Sequence, residues 1–263
     1  GPMGRTVDDA NLLLQAQMSR NLHDPFSAKF ADELALPLKA IDLGSIRALL
    51  SADLGSAVMS SAYRKIFTER SKIFQHHFAH ASTGNPDFTH GDNAFEVLRG
   101  VNFVAAHGNR VRDHRDKLSP NVVDNVDRGL NFTLADVAEA HLQQTQIARR
   151  WLDLFKEIDV VICPATSTTP FTHDQWAVAE IDGKKMETYM RWLAITYLPT
   201  MALACGVVIP CGVDHIGMPF GIQILSAPGN DRLVIETAKA LEIVLEKNAS
   251  TKRPVVDIDT LAS

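Results

Sequence analysis

Residues 205–242 read CGVVIPCGVDHIGMPFGIQILSAPGNDRLVIETAKALE, and this segment contains the clearest evidence for a sheet packed against a helix. Two apolar runs, 205–212 and 220–227, are joined by the turn-forming segment VDHIGMP, a pattern that predicts two strands. Asn230 or Asp231 can then cap a helix. The apolar residues of that helix lie on one stripe, at Val234, Ala238, Leu241 and Leu245. Buried strands followed by an amphipathic helix predict a sheet covered by helices.

Strands and helices alternate upstream of this stretch. The run DVVICPA at 159–165 predicts another strand, and because all three runs are continuously apolar, we expect them to be buried on both faces. Thr6 and Asp9 have the spacing of a capping box, and Thr133 is a candidate cap for the clearest helix. A further strand is predicted over 46–55, with helices over 7–19, from about Ser60 to Ala81, from about Asn93 to Leu118 and over 133–157, and loops over 82–91 and around Pro120. The predicted fold class is α/β, a mixed β-sheet sandwiched by helices.

The sequence predicts one domain. Its 263 residues contain no internal repeat and no linker that would split it, so we expect a single domain over 1–263. The polar residues 248–263 are predicted to form an extended tail over the surface.

Composition excludes several classes of partner. The net charge is −5 and basic residues are scattered, which argues against nucleic acid and against an anionic membrane as partners. The longest apolar run is too short to span a bilayer, and the first residues do not resemble a signal peptide. The sparse cysteines lie in apolar segments and predict buried thiols in a reducing compartment, hence the cytoplasm: Cys163, Cys205 and Cys211.

The residues alone contain no complete catalytic set. No Gly-x-Ser-x-Gly turn and no phosphate-binding glycine loop occurs. The pairs Gly44-Ser45 and Gly55-Ser56 are interpreted as turns or helix caps. Neither His173 beside Asp174 nor His215 beside Asp214 is oriented as a dyad, because adjacent side chains point in different directions.

A metal site is the other candidate chemistry. His76 and His80 stand four apart on a predicted helix, with His90 and Asp92 farther along the chain. The competing interpretation is a solvated helix face, since that helix offers no third ligand. We therefore predict no metal site and no cofactor.

Several motifs resemble the amidase signature family from one end of the chain to the other. The segments Ile209-Pro210-Cys211-Gly212 and Gly217-Met218-Pro219-Phe220-Gly221-Ile222-Gln223 are similar to the closing motifs of that family. The strand and proline of 159–171 and the loop and helix of 170–200 resemble a bacterial amidase subgroup. The opening GPMGRTVDDANLLL could be a tag remnant before a start methionine, but it is similar to an internal segment of the family.

The resemblance implies an amide hydrolase whose catalytic residues lie elsewhere. Members use a Ser–cis-Ser–Lys triad that precedes the Gly-Pro-Met segment, with backbone N–H groups as the oxyanion hole. No catalytic residue is therefore expected in this chain, and the implied partner is the N-terminal half of the same amidase, as a second chain or a missing segment. Arg5 and Asp9 are expected to tie the opening segment to that half. The implied substrate is a small-molecule amide.

Candidate pocket residues follow from the fold and from the resemblance. Because ligands gather at loops that follow strands, the loop after 159–165 is the expected lining, with Thr166, Ser167, Phe171, His173 and Trp176. The subgroup resemblance adds Trp192, Tyr197, Leu198 and Thr200. The alternative is that the aromatic members are core residues. Leu198-Pro199 stands where many members have an Asn- and Gly-rich turn.

Three functions stay open at this point. The first is amide hydrolysis, with an apolar or aromatic acyl group as the expected substrate. The second is a glutamine-dependent amidotransferase subunit, and the third is a catalytically inactive fragment or binding module. A homodimer also stays open.

Overall fold

The centre of the structure is a five-stranded sheet whose direction changes at its middle strand. The computed structural model describes residues 1–19, 21–24, 34, 37–39 and 41–255. The strands are β1 (Arg47–Leu50), β2 (His80–Thr83), β3 (Val160–Pro164), the short hairpin β4 (Glu180–Ile181) and β5 (Lys184–Lys185), β6 (Cys205–Val213) and β7 (Pro219–Ser226). The sheet order is β2-β1-β3-β7-β6; β2, β1 and β3 are parallel, and β7 is antiparallel to both β3 and β6. This arrangement confirms the predicted mixed sheet.

Helices cover the sheet and continue beyond its edge. They are α1 (Val7–Gln17), α2 (Ser61–Phe74), α3 (Gly91–His114), α4 (Pro120–Asn131), α5 (Leu134–Leu154), α6 (Ala194–Met201) and α7 (Asp231–Leu245). Thr6 and Asp9 form the predicted capping box of α1, and Thr133 forms another with Asp136. Asn230 is the N-cap of α7, but its side chain makes no capping hydrogen bond. Among the helices of the described residues, none is both long and apolar enough to cross a bilayer.

Three predicted element boundaries were wrong. The helix expected over about 60–81 ends at Phe74, a 3₁₀ turn follows, and His80–Thr83 form β2 instead. His76 and His80 therefore do not share a helix, and no group of three metal-ligating side chains occurs among the described residues. The strand expected over 46–55 ends at Leu50, because the chain turns at Leu54 and Gly55, both with positive φ. The segment around Pro120, expected as a loop, begins α4, with proline in the first turn.

The central strand β3 is buried throughout, whereas the edge strand β6 is partly exposed. All five residues of β3 are buried, as predicted. β6 differs from the prediction, because Val208 is 60% exposed while Ile209 beside it is buried. The reason is that β6 is an edge strand with one uncovered face.

Two long-range contacts fix how the strands and the helices pack, one at the amino ends of β1 and β3 and one between α3 and α4. Arg47 at the start of β1 donates from Nη2 to Asp159 Oδ1 at 2.8 Å and from its backbone N–H to Asp159 Oδ2 at 2.8 Å. This pair aligns β1 with β3. On the helical side, α3 and α4 approach so closely that a Cβ on Gly129 would lie 2.3 Å from the carbonyl oxygen of Gly100.

Candidate functional site

The loops after β1, β2 and β3 meet at one edge of the sheet, where ligands of open α/β sheets usually bind. Ser51 follows β1 and donates from its backbone N–H to Ile162 O at 2.9 Å. Its hydroxyl donates to Asn85 Oδ1 at 2.7 Å and accepts from Leu54 N at 3.0 Å. One buried serine thus joins the loops after β1 and β2.

Ser167 and Thr166 follow β3 at this edge. Ser167 is fully buried, and its carbonyl accepts a 2.9 Å hydrogen bond from Ser60 N, the cap residue of α2. Its Oγ is buried without a hydrogen-bond partner among the described residues. Thr166 is exposed and donates to Thr168 O at 3.3 Å.

Asp214, in the β6–β7 turn, holds the same loop from the other side. Its Oδ2 accepts from Thr169 Oγ1 at 2.6 Å and from Tyr63 Oη at 3.2 Å, while its Oδ1 accepts from the N–H groups of Ile216 and Met218. Burial raises the pKa of Asp214, but these hydrogen bonds outweigh burial and leave that pKa below its ordinary value. Burial and the nearby carboxylate raise the pKa of Tyr63 to about 12. Asp214 is therefore an ionised anchor for the loop that carries Ser167.

A small apolar cluster lies beside this loop, apart from the main core. Phe171 and Trp192 meet edge to face, with ring centroids 5.5 Å apart. They pack against three buried residues, Val58, Val178 and Ile181. At the tip of the β4–β5 hairpin, Asp182 accepts a 2.6 Å hydrogen bond from Ser61 N, which ties the hairpin to the start of α2. His173 and Trp176 are exposed, with Trp176 76% accessible.

Two of the predicted pocket residues, Tyr197 and Leu198, lie on α6 and pack against α3. Tyr197 stacks on Phe95 with ring centroids 3.9 Å apart, and its hydroxyl donates to Asp92, which also pairs with Arg191. Burial raises the pKa of Tyr197 to about 12. Leu198 is fully buried, and a Cβ on Gly91 would lie 2.5 Å from it. Leu198 is thus a core residue.

A small cavity of about 20 Å³, enough for about one water molecule, lies where α3, α4 and residues 188–190 meet. Sequence reasoning missed it. Its lining is Phe95, Glu96, Arg99, Gly100, Asp124, Asn125, Arg128, Phe132, Thr188, Tyr189 and Met190. Its lining combines aromatic and polar side chains, but its space is far below the roughly 300 Å³ of a typical small-molecule site.

A hydrogen-bonded trio forms the polar part of this cavity. Arg99 donates to Asn125 Oδ1 at 3.1 Å and to Tyr189 Oη at 2.6 Å, and Asn125 Nδ2 donates to Tyr189 Oη at 3.1 Å. Burial raises the pKa of the Glu96 carboxyl. Thr188 Oγ1 is buried without a hydrogen-bond partner in the described part of the chain. Asn125 Nδ2 also donates to Asn121 O at 2.6 Å, so both of its amide hydrogens are used within the protein. The Arg99 guanidinium and the Tyr189 hydroxyl are therefore the groups of the trio that can donate to a carbonyl or carboxylate ligand.

The family model described as Amidase matches residues 1–235. The chain belongs to the amidase family. This finding agrees with the resemblance seen in its motifs.

The relatives described next are longer than this chain. It is similar to the acylamidase of Rhodococcus erythropolis, 22% identical over 250 residues that cover 93% of this chain and 52% of the relative. It is also similar to a glutamyl-tRNA(Gln) amidotransferase subunit of Gloeobacter violaceus, 24% identical over 95% of this chain and 55% of the relative. A bacterial aryl acylamidase structure superimposes with a TM-score of 0.77 at 18% identity, over 95% of this chain and 55% of that one, which supports the α/β fold. The chain spans about half the length of these relatives.

The predicted pocket residues of this chain fall into two groups. The loop after β3 carries Thr166, Ser167 and Phe171, and Trp192 packs on Phe171. The second group, Tyr197 and Leu198, packs on α3. Thr200 is exposed, and its hydroxyl donates to Tyr197 O at 2.6 Å. The cavity was missed because Asn125 lies on α4, for which no helix was predicted, and because it contacts Arg99 only through the packing of α4 on α3.

Proposed function

We propose that this chain is the C-terminal portion of an amide hydrolase whose Ser–cis-Ser–Lys triad comes from an N-terminal half. The observation that carries the proposal is the Amidase match over residues 1–235, in a chain about half as long as its relatives. Ser167 is the serine best placed at the sheet edge, but no hydrogen bond to a base activates it among the described residues.

The reaction then divides between the two portions. The bridging serine carries the proton from the nucleophilic serine to the lysine, the serine oxygen attacks the amide carbonyl, and the amine leaves with a proton. Water then hydrolyses the acyl-serine ester. The chain described here supplies the Asp214-anchored loop and the Arg99–Asn125–Tyr189 cavity.

We assign substrate recognition to that cavity, which must widen on binding because its space of about 20 Å³ is too small for an acyl group. Its apolar side, formed by Phe95, Phe132 and Met190, suits an aromatic or apolar acyl group. The Arg99–Asn125–Tyr189 trio suits a polar substituent of the same small-molecule amide.

A role as part of an amidotransferase is the second candidate. The similarity to the glutamyl-tRNA(Gln) amidotransferase of Gloeobacter violaceus supports it, and the cavity holds both a carboxyl, Glu96, and a guanidinium, Arg99. Opposite charges in one cavity suit the ammonium and carboxylate of glutamine. The third candidate, an inactive fragment or binding module, requires that no complement exists. Action in the cytoplasm, and a homodimer as a further assembly, remain proposals.

The decisive experiment pairs a denaturing intact-mass spectrum with turnover of an aryl anilide and of glutamine. Anilide hydrolysis by a sample that contains additional amidase sequence supports the hydrolase, whereas turnover of glutamine alone supports the amidotransferase. A lone species of 28.9 kDa without turnover supports the inactive fragment.

A matched pair of variants tests the cavity. Asn125→Ala removes the hydrogen bonds to Arg99 and Tyr189 and should raise KM for the anilide by about tenfold. The exposed Asn131, at the end of the same helix, provides the control variant Asn131→Ala. Equal KM values for the two variants, with both folded, would assign substrate binding elsewhere.

A further inference from the structure

A roomy cleft opens between the loop after β1 and the β4–β5 hairpin. Its space is about 340 Å³, against about 20 Å³ for the cavity between α3 and α4, and it opens widely to solvent. Its walls are residues 53–59, Arg64 near the start of α2, and Ile181, Asp182 and Lys184 of the hairpin. We call this space the hairpin cleft. Its size is that of a small-molecule site.

The floor of the hairpin cleft is apolar. Ala57, Val58, Met59 and Ile181 line it, and each of them is at most 8% exposed. Val58 and Ile181 also belong to the small apolar cluster on which Phe171 of the loop after β3 packs. An apolar group that lies on this floor therefore leaves water, and it does so next to the loop after β3.

The two carboxylates of the cleft already have partners within the protein. Asp53 forms an ion pair with Arg64. Asp182, at the tip of the hairpin, accepts a hydrogen bond from Ser61 N at 2.6 Å. Neither carboxylate therefore needs a ligand to satisfy it.

The two cations of the cleft, in contrast, have donors to spare. Lys184 is exposed and makes no ion pair within the described ranges of the chain, and its ammonium carries three donors. Arg64 contacts Asp53 through Nη1, and its guanidinium has further N–H groups. A carboxylate in the cleft would gain charge-assisted hydrogen bonds, whereas an ammonium group would face Lys184 with the same charge.

We propose that the hairpin cleft binds a small organic carboxylate. The carboxylate group lies against Lys184 and Arg64, and its apolar tail lies on the floor formed by Val58, Met59 and Ile181. Such binding uses residues of this chain and needs no turnover. It goes beyond the proposed function, although hydrolysis of an amide releases an acid of this chemical class.

Lys184→Gln and Lys185→Gln form the decisive pair of variants. Both remove one positive charge from an exposed position of β5, but Lys184 alone of the two lines the cleft, since neighbouring residues of a strand point to opposite faces. The protein is purified without denaturant, together with any complement that it retains. Isothermal titration calorimetry at constant ionic strength then measures the binding of sodium hexanoate. Acetate, which lacks the tail, and hexylamine, which carries the opposite charge, are the comparison ligands.

The expected dissociation constant for hexanoate is about 1 mM or below in wild type and in Lys185→Gln. Lys184→Gln should weaken binding by about tenfold, because it replaces a charge-assisted hydrogen bond by a neutral one. Acetate should bind at least about fourfold more weakly than hexanoate, which is the factor expected for one buried CH₂ group. Equal thermal unfolding of the two variants would show that both are folded.

Three outcomes would overturn this inference. Absence of saturable binding up to about 10 mM hexanoate in wild type would reject the cleft as a ligand site. Equal weakening by Lys184→Gln and Lys185→Gln would show a general attraction of anions to the hairpin. Tighter binding of hexylamine than of hexanoate would assign the cleft to cations. All three leave the proposed function in place, whereas Lys184-dependent hexanoate binding without any amide turnover would support the site and reject the hydrolase.

Discussion

Removal of the Asp214 carboxylate should destabilise the protein strongly, because one side chain accepts four hydrogen bonds. Asp214→Ala leaves Thr169 Oγ1, Tyr63 Oη and two backbone N–H groups without their acceptor. Tyr63 is only 1% exposed, so water cannot replace the carboxylate there. With about 1–3 kcal/mol for each buried donor and less for those that reach water, we expect a loss of about 3–5 kcal/mol.

Asp214→Asn should cost less, about 1–2 kcal/mol, since its amide oxygen still accepts from the two backbone N–H groups. Thermal unfolding measures both variants, and for a chain of this size the alanine variant should unfold roughly 6–20 °C lower. The control is Asp174→Asn, at an exposed residue near the same loop.

The pH dependence tests the charge itself. The folded-state pKa of Asp214 lies below its ordinary value of 3.8, so its stabilising contribution is complete above that value and is lost as pH falls through the folded pKa. The difference between wild type and Asp214→Asn should therefore shrink from pH 7 to pH 3. Either of two results would refute the role of Asp214 as an ionised anchor. One is a stability difference between wild type and Asp214→Asn that does not change with pH, and the other is an Asp214→Ala variant within about 0.5 kcal/mol of wild type at pH 7.

Three further predictions concern packing, charge and thiol reactivity. Gly129→Ala should destabilise by about 3 kcal/mol or more in urea unfolding, because its Cβ would meet the Gly100 carbonyl at 2.3 Å, whereas Gly108→Ala in α3 has room and should be neutral or stabilising. Burial raises the folded-state pKa of Glu96, so its contribution to stability is full below its ordinary pKa of 4.5 and declines as pH rises through the folded-state pKa. The stability of Glu96→Gln relative to wild type should therefore increase from pH 4 to pH 7. An equal difference in stability at pH 4 and at pH 7 would contradict this expectation. Burial raises the pKa of the Cys211 thiol to about 12, so iodoacetamide at pH 8 should leave it unmodified in the folded protein, as read by peptide mass.

Elements with a strong local signal were predictable from the sequence. The Thr133 cap and the apolar stripe of α5 gave nearly the correct helix, and the β-branched run of β3 gave a buried strand. β2 carries no such signal: His-Ala-Ser-Thr is polar and four residues long, and it is a strand only because β1 pairs with it.

The site was less predictable because distant segments build it. Topology alone places the loop after β3 at a ligand-binding edge. The burial of Ser167 depends on Ser60, and the cavity depends on Arg99, Asn125 and Tyr189 from three separate segments. Hydrophobic periodicity describes one segment at a time, so it cannot predict contacts between side chains of different segments.

The pairing of β1 with β3 has a consequence for synthesis on the ribosome. Ala48 pairs with Val160, so β1 must wait until more than a hundred further residues have been made. At about 5–20 residues per second, this delay lasts roughly 5–20 s. In that interval α3, α4 and the start of α5 can form from local contacts, and the nascent β1–β2 ribbon exposes the edge that β3 later covers. Codons that slow translation between residues 50 and 160 would lengthen this exposure and should increase aggregation of the newly made chain.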